Sequence, residues 1–307
     1  MTPLHFPLRQ HGRYPYQPIT AREDFSWPEG KRLAVFIALN LEHYAFGEGL
    51  VEDLVPNMPP PDVLNNSWRD YGNRVGAWRL LELLRELELP VTLLINSELY
   101  GACPELIAAF RAAGAEIAAH GRTNSEHQGG LDEVAERQLI GQVTDTITRH
   151  EGHPPTGWLS PWIAETAVTP DLLHEAGYQY VLDWCMDDQP VWLRTRGGHI
   201  LSLPYPQEIN DSAAIMGRQV SAAEFADMII DQFDELLEQA SSQPLAMGIA
   251  LHSMIVGQPF RLRRLRRALQ HLASKRAECW FTTAGDIARF SSAVIPKPTA
   301  MAQGSVG

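Results

Sequence analysis

Short apolar runs of strand length alternate along the chain with longer stretches whose apolar residues return at helical period, the pattern of a mainly parallel sheet wrapped by helices. The first run, Leu33–Leu41 (LAVFIALNL), is apolar at nearly every position, as expected of a strand covered on both faces. Further strands are predicted at Val91–Asn96, Ala115–His120, Thr156–Ser160, Tyr178–Asp183, His199–Leu203, Ala246–His252 and Cys279–Thr283. Between them a helix is expected over Ser67–Leu87, with Val75, Trp78, Leu81, Leu84 and Leu87 near one face. Others end at the C-cap glycine Gly114, span Asp132–His150, or open at Thr169-Pro170 and close at Gly177. The capping box Ser221-Ala222-Ala223-Glu224 starts a helix that runs to Gln239, and Phe260–Ala273 is the last one predicted.

This succession implies an α/β fold: a distorted or incomplete (β/α) barrel of seven to eight mainly parallel strands over residues 31–290, with a doubly wound open sheet as the alternative. Residues 1–30 read as an N-terminal arm, and 291–307, rich in Ala, Pro, Ser and Gly, as a flexible tail. The polar, Pro-rich stretch 47–66 is too long for a simple connector and is a candidate lid or interface loop.

Composition narrows the partners. Against 25 basic residues stand 37 acidic ones, a formal charge of −12 that repels nucleic-acid backbones and anionic membranes. The five arginines between Arg261 and Arg267 fit a solvated helix face better than a nucleic-acid patch. Cys103, Cys185 and Cys279 are scattered and odd in number, which fits reduced thiols. With no signal-like segment and no long apolar run, a cytoplasmic protein with a small-molecule substrate is expected. The arm and the Pro-rich loop need something to pack against, so a homo-oligomer, dimer or tetramer, is expected too.

In such a barrel reactive groups collect where strands end, because the interior is apolar and only the C-terminal rim is open. Several polar residues fall there: Asn40 and Glu42 after the first strand, His120 and Asn124 after the third, Asp183 after Leu182, and His252 after Leu251. Trp162, Asp187 and Tyr205 are candidates for substrate contact.

These residues resemble the polysaccharide-deacetylase superfamily (NodB-like, carbohydrate esterase family 4-like), and within it the branch of metal-independent allantoinases and related cyclic-amide hydrolases. Asn40-Leu41-Glu42 stands where deacetylases carry an Asp-x-Asp or Asp-Asp pair and is similar to the Asn-x-Glu of that branch. His120-Gly121 resembles the start of the His-x-x-x-His motif, with Asn124 at the second histidine position. The segment Asp183–Pro190, Pro204-Tyr205 with Asn210-Asp211, and Leu251-His252 with Gly257-Gln258-Pro259 resemble further motifs of the branch. Gly157-Trp158-Leu159-Ser160-Pro161 lacks the arginine of the deacetylases' Gly-x-Arg-x-Pro element.

The resemblance implies a hydrolase of non-peptide carbon–nitrogen bonds, opening a cyclic amide, an allantoin-like ureide or an imide. Glu42, or His120 paired with it, would take a proton from water and His252 would protonate the leaving nitrogen, with Asp183 as a further catalytic group. Asn40, Asn124, Trp162, Asp187 and Tyr205 would bind substrate. Either no cofactor is required, or a divalent metal such as zinc binds weakly to Glu42, His120 and Asn124. Two alternatives are a metal-dependent deacetylase of a small N-acylated compound or carbohydrate, and a barrel that binds a small molecule without catalysis.

Overall fold

A computed structural model describes residues 10–47 and 53–298. The beginning of the predicted arm, residues 48–52 of the Pro-rich loop and the end of the predicted tail lie outside them. Strands and helices succeed one another as β1 (Leu33–Leu41), α1 (Val63–Tyr71), α2 (Ala77–Glu86), β2 (Val91–Ile95), α3 (Leu99–Ala102), α4 (Pro104–Ala112) and β3 (Glu116–Ala119). The chain continues through α5 (Glu133–Glu151), β4 (Gly157–Trp158), α6 (Thr169–Glu175), β5 (Tyr180–Val181), β6 (Val191–Thr195), β7 (Gly198–Ser202) and α7 (Ala222–Gln239). It ends with β8 (Leu245–His252), α8 (Ser253–Val256), α9 (Pro259–Ser274), β9 (Trp280–Thr282) and α10 (Ala284–Val294).

The strands form one sheet in the order β6-β7-β5-β4-β3-β2-β1-β8, with β9 also paired to β1. All pairings are parallel except β6–β7. The gap between the two ends is spanned by the chain that follows β7, where Asn210 bridges Ala250 of β8. The result is an incomplete, distorted barrel. Strand β6 was not predicted: Trp192 and Leu193 are buried, but Val191-Trp192-Leu193 is too short a run to stand out.

Strand alternation splits β1 between two cores. Leu33, Val35, Ile37, Leu39 and Leu41 pack outward against the helices. Ala34, Phe36 and Ala38 pack inward with Ala118, Ala246, Ala250 and Tyr205. Continued to the strand ends, the inward parity puts Asn40, Glu42, His120 and His252 inside the C-terminal rim. At the opposite end Trp27 is buried and its indole N–H donates to Leu245 O at 2.8 Å. There the half-buried Glu116 carboxylate accepts from Thr92 Oγ1, Tyr180 Oη and Gly285 N, so that pole is closed by a satisfied network.

One predicted helix and the predicted tail are corrected. The Ser67–Leu87 helix begins at Val63 and is interrupted by a π-helical turn over Gly72–Gly76. Such a turn rotates the following face, so Trp78 is exposed while Leu80, Leu81, Leu83 and Leu84 are buried. The glycines there permit close approach: a Cβ on Gly76 would lie 2.1 Å from Ser253 O. At the C-terminus, the expected tail from Ser291 is helical to Val294, because Thr283 caps α10 and Ile287, Ala288 and Ser291 are buried.

The described part of the N-terminal arm packs on its own barrel. Arg13 grips Asp171 with two bonds of 2.7 and 2.8 Å, and Arg22 pairs with Asp187. No helix among the described residues is long and apolar enough to cross a membrane.

Candidate active site

A cavity of about 110 Å³ opens at the C-terminal rim, lined among others by Asn40, Glu42, His120, Asn124, Trp162, Tyr205 and His252. Five chain segments far apart in sequence meet there.

Glu42 is the hub. Its Oε1 accepts from Asn124 Nδ2 at 2.6 Å and lies 3.3 Å from His120 Nε2 and 3.7 Å from His252 Nε2. Its Oε2 accepts from the Tyr44 hydroxyl. Burial alone would push this carboxyl up, but the positive field of His252, the bond and charge of His120 and the Tyr44 hydroxyl together hold it below the ordinary range. Glu42 is therefore an ionised carboxylate, held by hydrogen bonds inside the barrel.

Both imidazoles are fixed by what lies behind them. His120 Nδ1 is 2.8 Å from Leu159 O, a group that only accepts, so Nδ1 carries the proton and Nε2 faces Glu42. His252 Nδ1 is 2.6 Å from Asp211 Oδ1, while Asp211 Oδ2 accepts the His252 main-chain N–H at 2.9 Å. Asp211 is fully buried; burial pushes its carboxyl up, and the His252 charge and hydrogen bonds oppose that push. A buried carboxylate clamping one imidazole nitrogen and leaving the other to the cavity is a proton-transfer arrangement.

The orientation of Asn124 follows from the backbone in two steps. Asn96 Oδ1 accepts from His43 N at 2.7 Å and its Nδ2 donates to His120 O, which settles its amide. The same Nδ2 lies 2.9 Å from Asn124, which must answer with Oδ1 and so turn its own Nδ2 to Glu42. A metal at Glu42, His120 and Asn124 would need an oxygen lone pair where Asn124 presents an N–H. Among the described residues no group of three or more His, Cys, Asp or Glu is arranged to hold a metal ion. In this orientation Asn124 offers no donor oxygen to a cation between Glu42 and His120.

Two candidates fall outside the cavity. Asp183 is buried behind Ser160, accepting Ser160 N and Oγ at 2.8 Å each. Burial and the Asp183 charge push the neighbouring Glu165 up to about 10, so Glu165 stays protonated beside Asp183. Asp187 is occupied by Arg22 and by Gln189 N, its Oδ1 2.7 Å from the Arg22 Nη1. Trp162 does line the cavity, with its indole on Asn124 O at 3.2 Å. Its backbone and that of Ile163 are left-handed (φ 63° and 54°), a strain held by the Ile163 N to Ser160 O bond.

Sequence reasoning did not assign roles to Asp211, Tyr44 or Asn96. Asp211 follows no strand, and the only signal for it was its place in the Asn-Asp motif.

Comparison with known proteins accords with this architecture. The polysaccharide deacetylase family model matches residues 69–181. A Schizosaccharomyces pombe protein described as a polysaccharide deacetylase is 26% identical over 300 residues, covering 88% of this chain and 93% of the relative. A Pseudomonas aeruginosa structure described in the same words aligns with TM-score 0.79 at 29% identity, over 89% of this chain and 95% of that one. This chain is thus similar to polysaccharide deacetylases. Among solved structures, the Puue allantoinase is also similar, with TM-score 0.81 and 27% identity over 96% of this chain and all of the other. Around its rim cavity the chain sets the Glu42 carboxylate, His120 and His252 together with the amides of Asn40 and Asn124.

Proposed function

We propose that the rim cavity hydrolyses a carbon–nitrogen bond in a small acylated substrate, as an amide hydrolase of deacetylase type. The observation that carries this reading is the convergence of two tautomer-fixed imidazoles on one ionised carboxylate, with His252 backed by the buried Asp211. The likeness to polysaccharide deacetylases supports the same bond class.

Glu42, with His120 Nε2 beside its Oε1, takes the proton from a water as the oxygen attacks the carbonyl carbon. His252, charged between Asp211 and Glu42, gives its proton to the nitrogen as the carbon–nitrogen bond breaks. The products are a carboxylic acid and an amine, and solvent returns the proton from Glu42 to His252. Each positioned transfer contributes roughly 10²- to 10⁴-fold.

A panel of N-acetyl and N-formyl amines, ring amides, imides and ureides, followed by acid release in a pH-stat, tests the reading. Glu42→Gln and His252→Ala should each lower turnover at least about a hundredfold. Full activity in both variants rejects the roles. Turnover should survive dialysis against a chelator, because Asn124 offers no lone pair to a cation; loss that zinc restores would favour a metal-dependent deacetylase.

The finer reading is a ring amide or ureide of the allantoin type. Amides at Asn40 and Asn124 favour it, as does the likeness to the allantoinase over nearly the whole chain. Preference for ring over open-chain substrates in the same panel decides between the two.

A further inference from the structure

Asn40 ends the inward face of β1 and is 1% exposed, yet it lines the cavity. Its amide cannot turn. Leu251 O, which only accepts, lies 3.1 Å from Nδ2, and the other hydrogen of Nδ2 goes to the Tyr205 hydroxyl oxygen at 3.0 Å. The remaining atom, Oδ1, is a buried acceptor with no hydrogen-bond partner. Tyr205 is also buried and lines the cavity, and its bond from Asn40 uses the hydroxyl as acceptor. Burial first, and the negative charges of Glu42 and Asp211 after it, push the Tyr205 phenol well above its ordinary value, so the O–H proton is retained. An acceptor and a donor thus stand side by side, tied together through Asn40 Nδ2.

We propose that Asn40 and Tyr205 form the specificity-determining pair of this cavity, Asn40 Oδ1 accepting a substrate N–H and the Tyr205 hydroxyl donating to a carbonyl on the same edge. A buried acceptor left unmet is costly, so a ligand that lacks the N–H pays a desolvation penalty that one bearing it avoids. Ring amides, ureas and primary amides offer N–H and C=O on one edge. Open-chain secondary amides hold them on opposite edges, and esters or fully N-alkylated amides have no N–H at all. The inference rests on the amide-hydrolase reading for calling the ligand a substrate, but the binding claim stands by itself.

The test measures binding of hydantoin and 1,3-dimethylhydantoin to the full chain by ligand-observed NMR and calorimetry. Hydantoin should bind the wild type roughly ten- to a hundredfold more tightly than its dimethyl form. Asn40→Ala should weaken hydantoin by about that factor and bring the two ligands close together. Tyr205→Phe should weaken both, because both keep the carbonyl, and it carries the test if the Asn40 variant does not fold. Equal binding of the two ligands, no binding of either, or hydantoin affinity unchanged in the variant that folds overturns the pairing. Hydantoin bound selectively but never cleaved, alongside no turnover of any amide, would instead sink the hydrolase reading and leave the pairing in place.

Discussion

Replacing Asp211 by Asn tests the proton-transfer arrangement at its most buried point. The side chain is fully buried and both its oxygens engage His252: Oδ1 meets His252 Nδ1 at 2.6 Å, and Oδ2 accepts the His252 main-chain N–H at 2.9 Å. The main-chain donor cannot change, so the amide of the Asp211→Asn variant must place its oxygen there and turn its NH₂ toward Nδ1. His252 would then carry its proton on Nε2 when neutral, and its charged form would lose the anion behind it. The loss of a positioned acid is roughly 10²- to 10⁴-fold in kcat/KM, about 3–5 kcal/mol of barrier. Stability should change little, since burial already raises the Asp211 carboxyl and an uncharged amide of equal shape avoids that penalty. The assay is kcat/KM against pH for the best substrate of the acyl-amide panel, with thermal melts of both proteins. The variant's falling limb at high pH should also move to lower pH, because removing a negative charge disfavours the imidazolium. A folded variant within about threefold of wild type at pH 7, with an unmoved limb, would refute the role of His252 as the acid.

Three further outcomes are expected. Asn96→Asp replaces the donor facing Asn124 by an acceptor; Asn124 should then turn its oxygen toward Glu42, and steady-state turnover should fall roughly ten- to a hundredfold, as for a buried group left unmet. Glu165 ionises near 4.5 in the unfolded chain and near 10 in the fold, so across that window the fold holds an additional proton and stability falls as pH rises. Glu165→Gln should flatten the decline in Tm between pH 6 and 9; an unchanged slope would show that the Glu165–Asp183 contact is not the source. Gly157→Ala would bring a Cβ within 1.9 Å of the Tyr180 ring inside the barrel, and urea unfolding should register about 1–3 kcal/mol or more of lost stability. Gly130→Ala, with open space at the same atom, is the neutral control.

How much of this was legible in the sequence turns on the difference between a pole and a face. Ending an apolar run with a polar residue tells which pole of the barrel that residue occupies, and by that rule Asp183 stood level with Asn40, Glu42, His120 and His252. The parity of the run tells which way it points. Ala34, Phe36 and Ala38 pack inward, and Asn40 and Glu42 continue their parity; Ala118 leads to His120, and Ala246 and Ala250 to His252. In the fifth strand Tyr180 and Leu182 pack inward while Val181 packs against the helices, so Asp183 shares the parity of Val181 and turns behind Ser160. Small residues on one parity of a run mark the crowded barrel interior, and that signal in LAVFIALNL and LAMGIALH was open to reading. Asp211 was not open to it. It stands at the N-cap of the π-helical turn Ser212–Gly217 between β7 and α7, beside the Asn210–Ala250 bridge, where no strand alternation exists to carry a direction. The residue that fixes His252 thus lies where the barrel fails to close, in the connection between a strand and a helix rather than at a strand end.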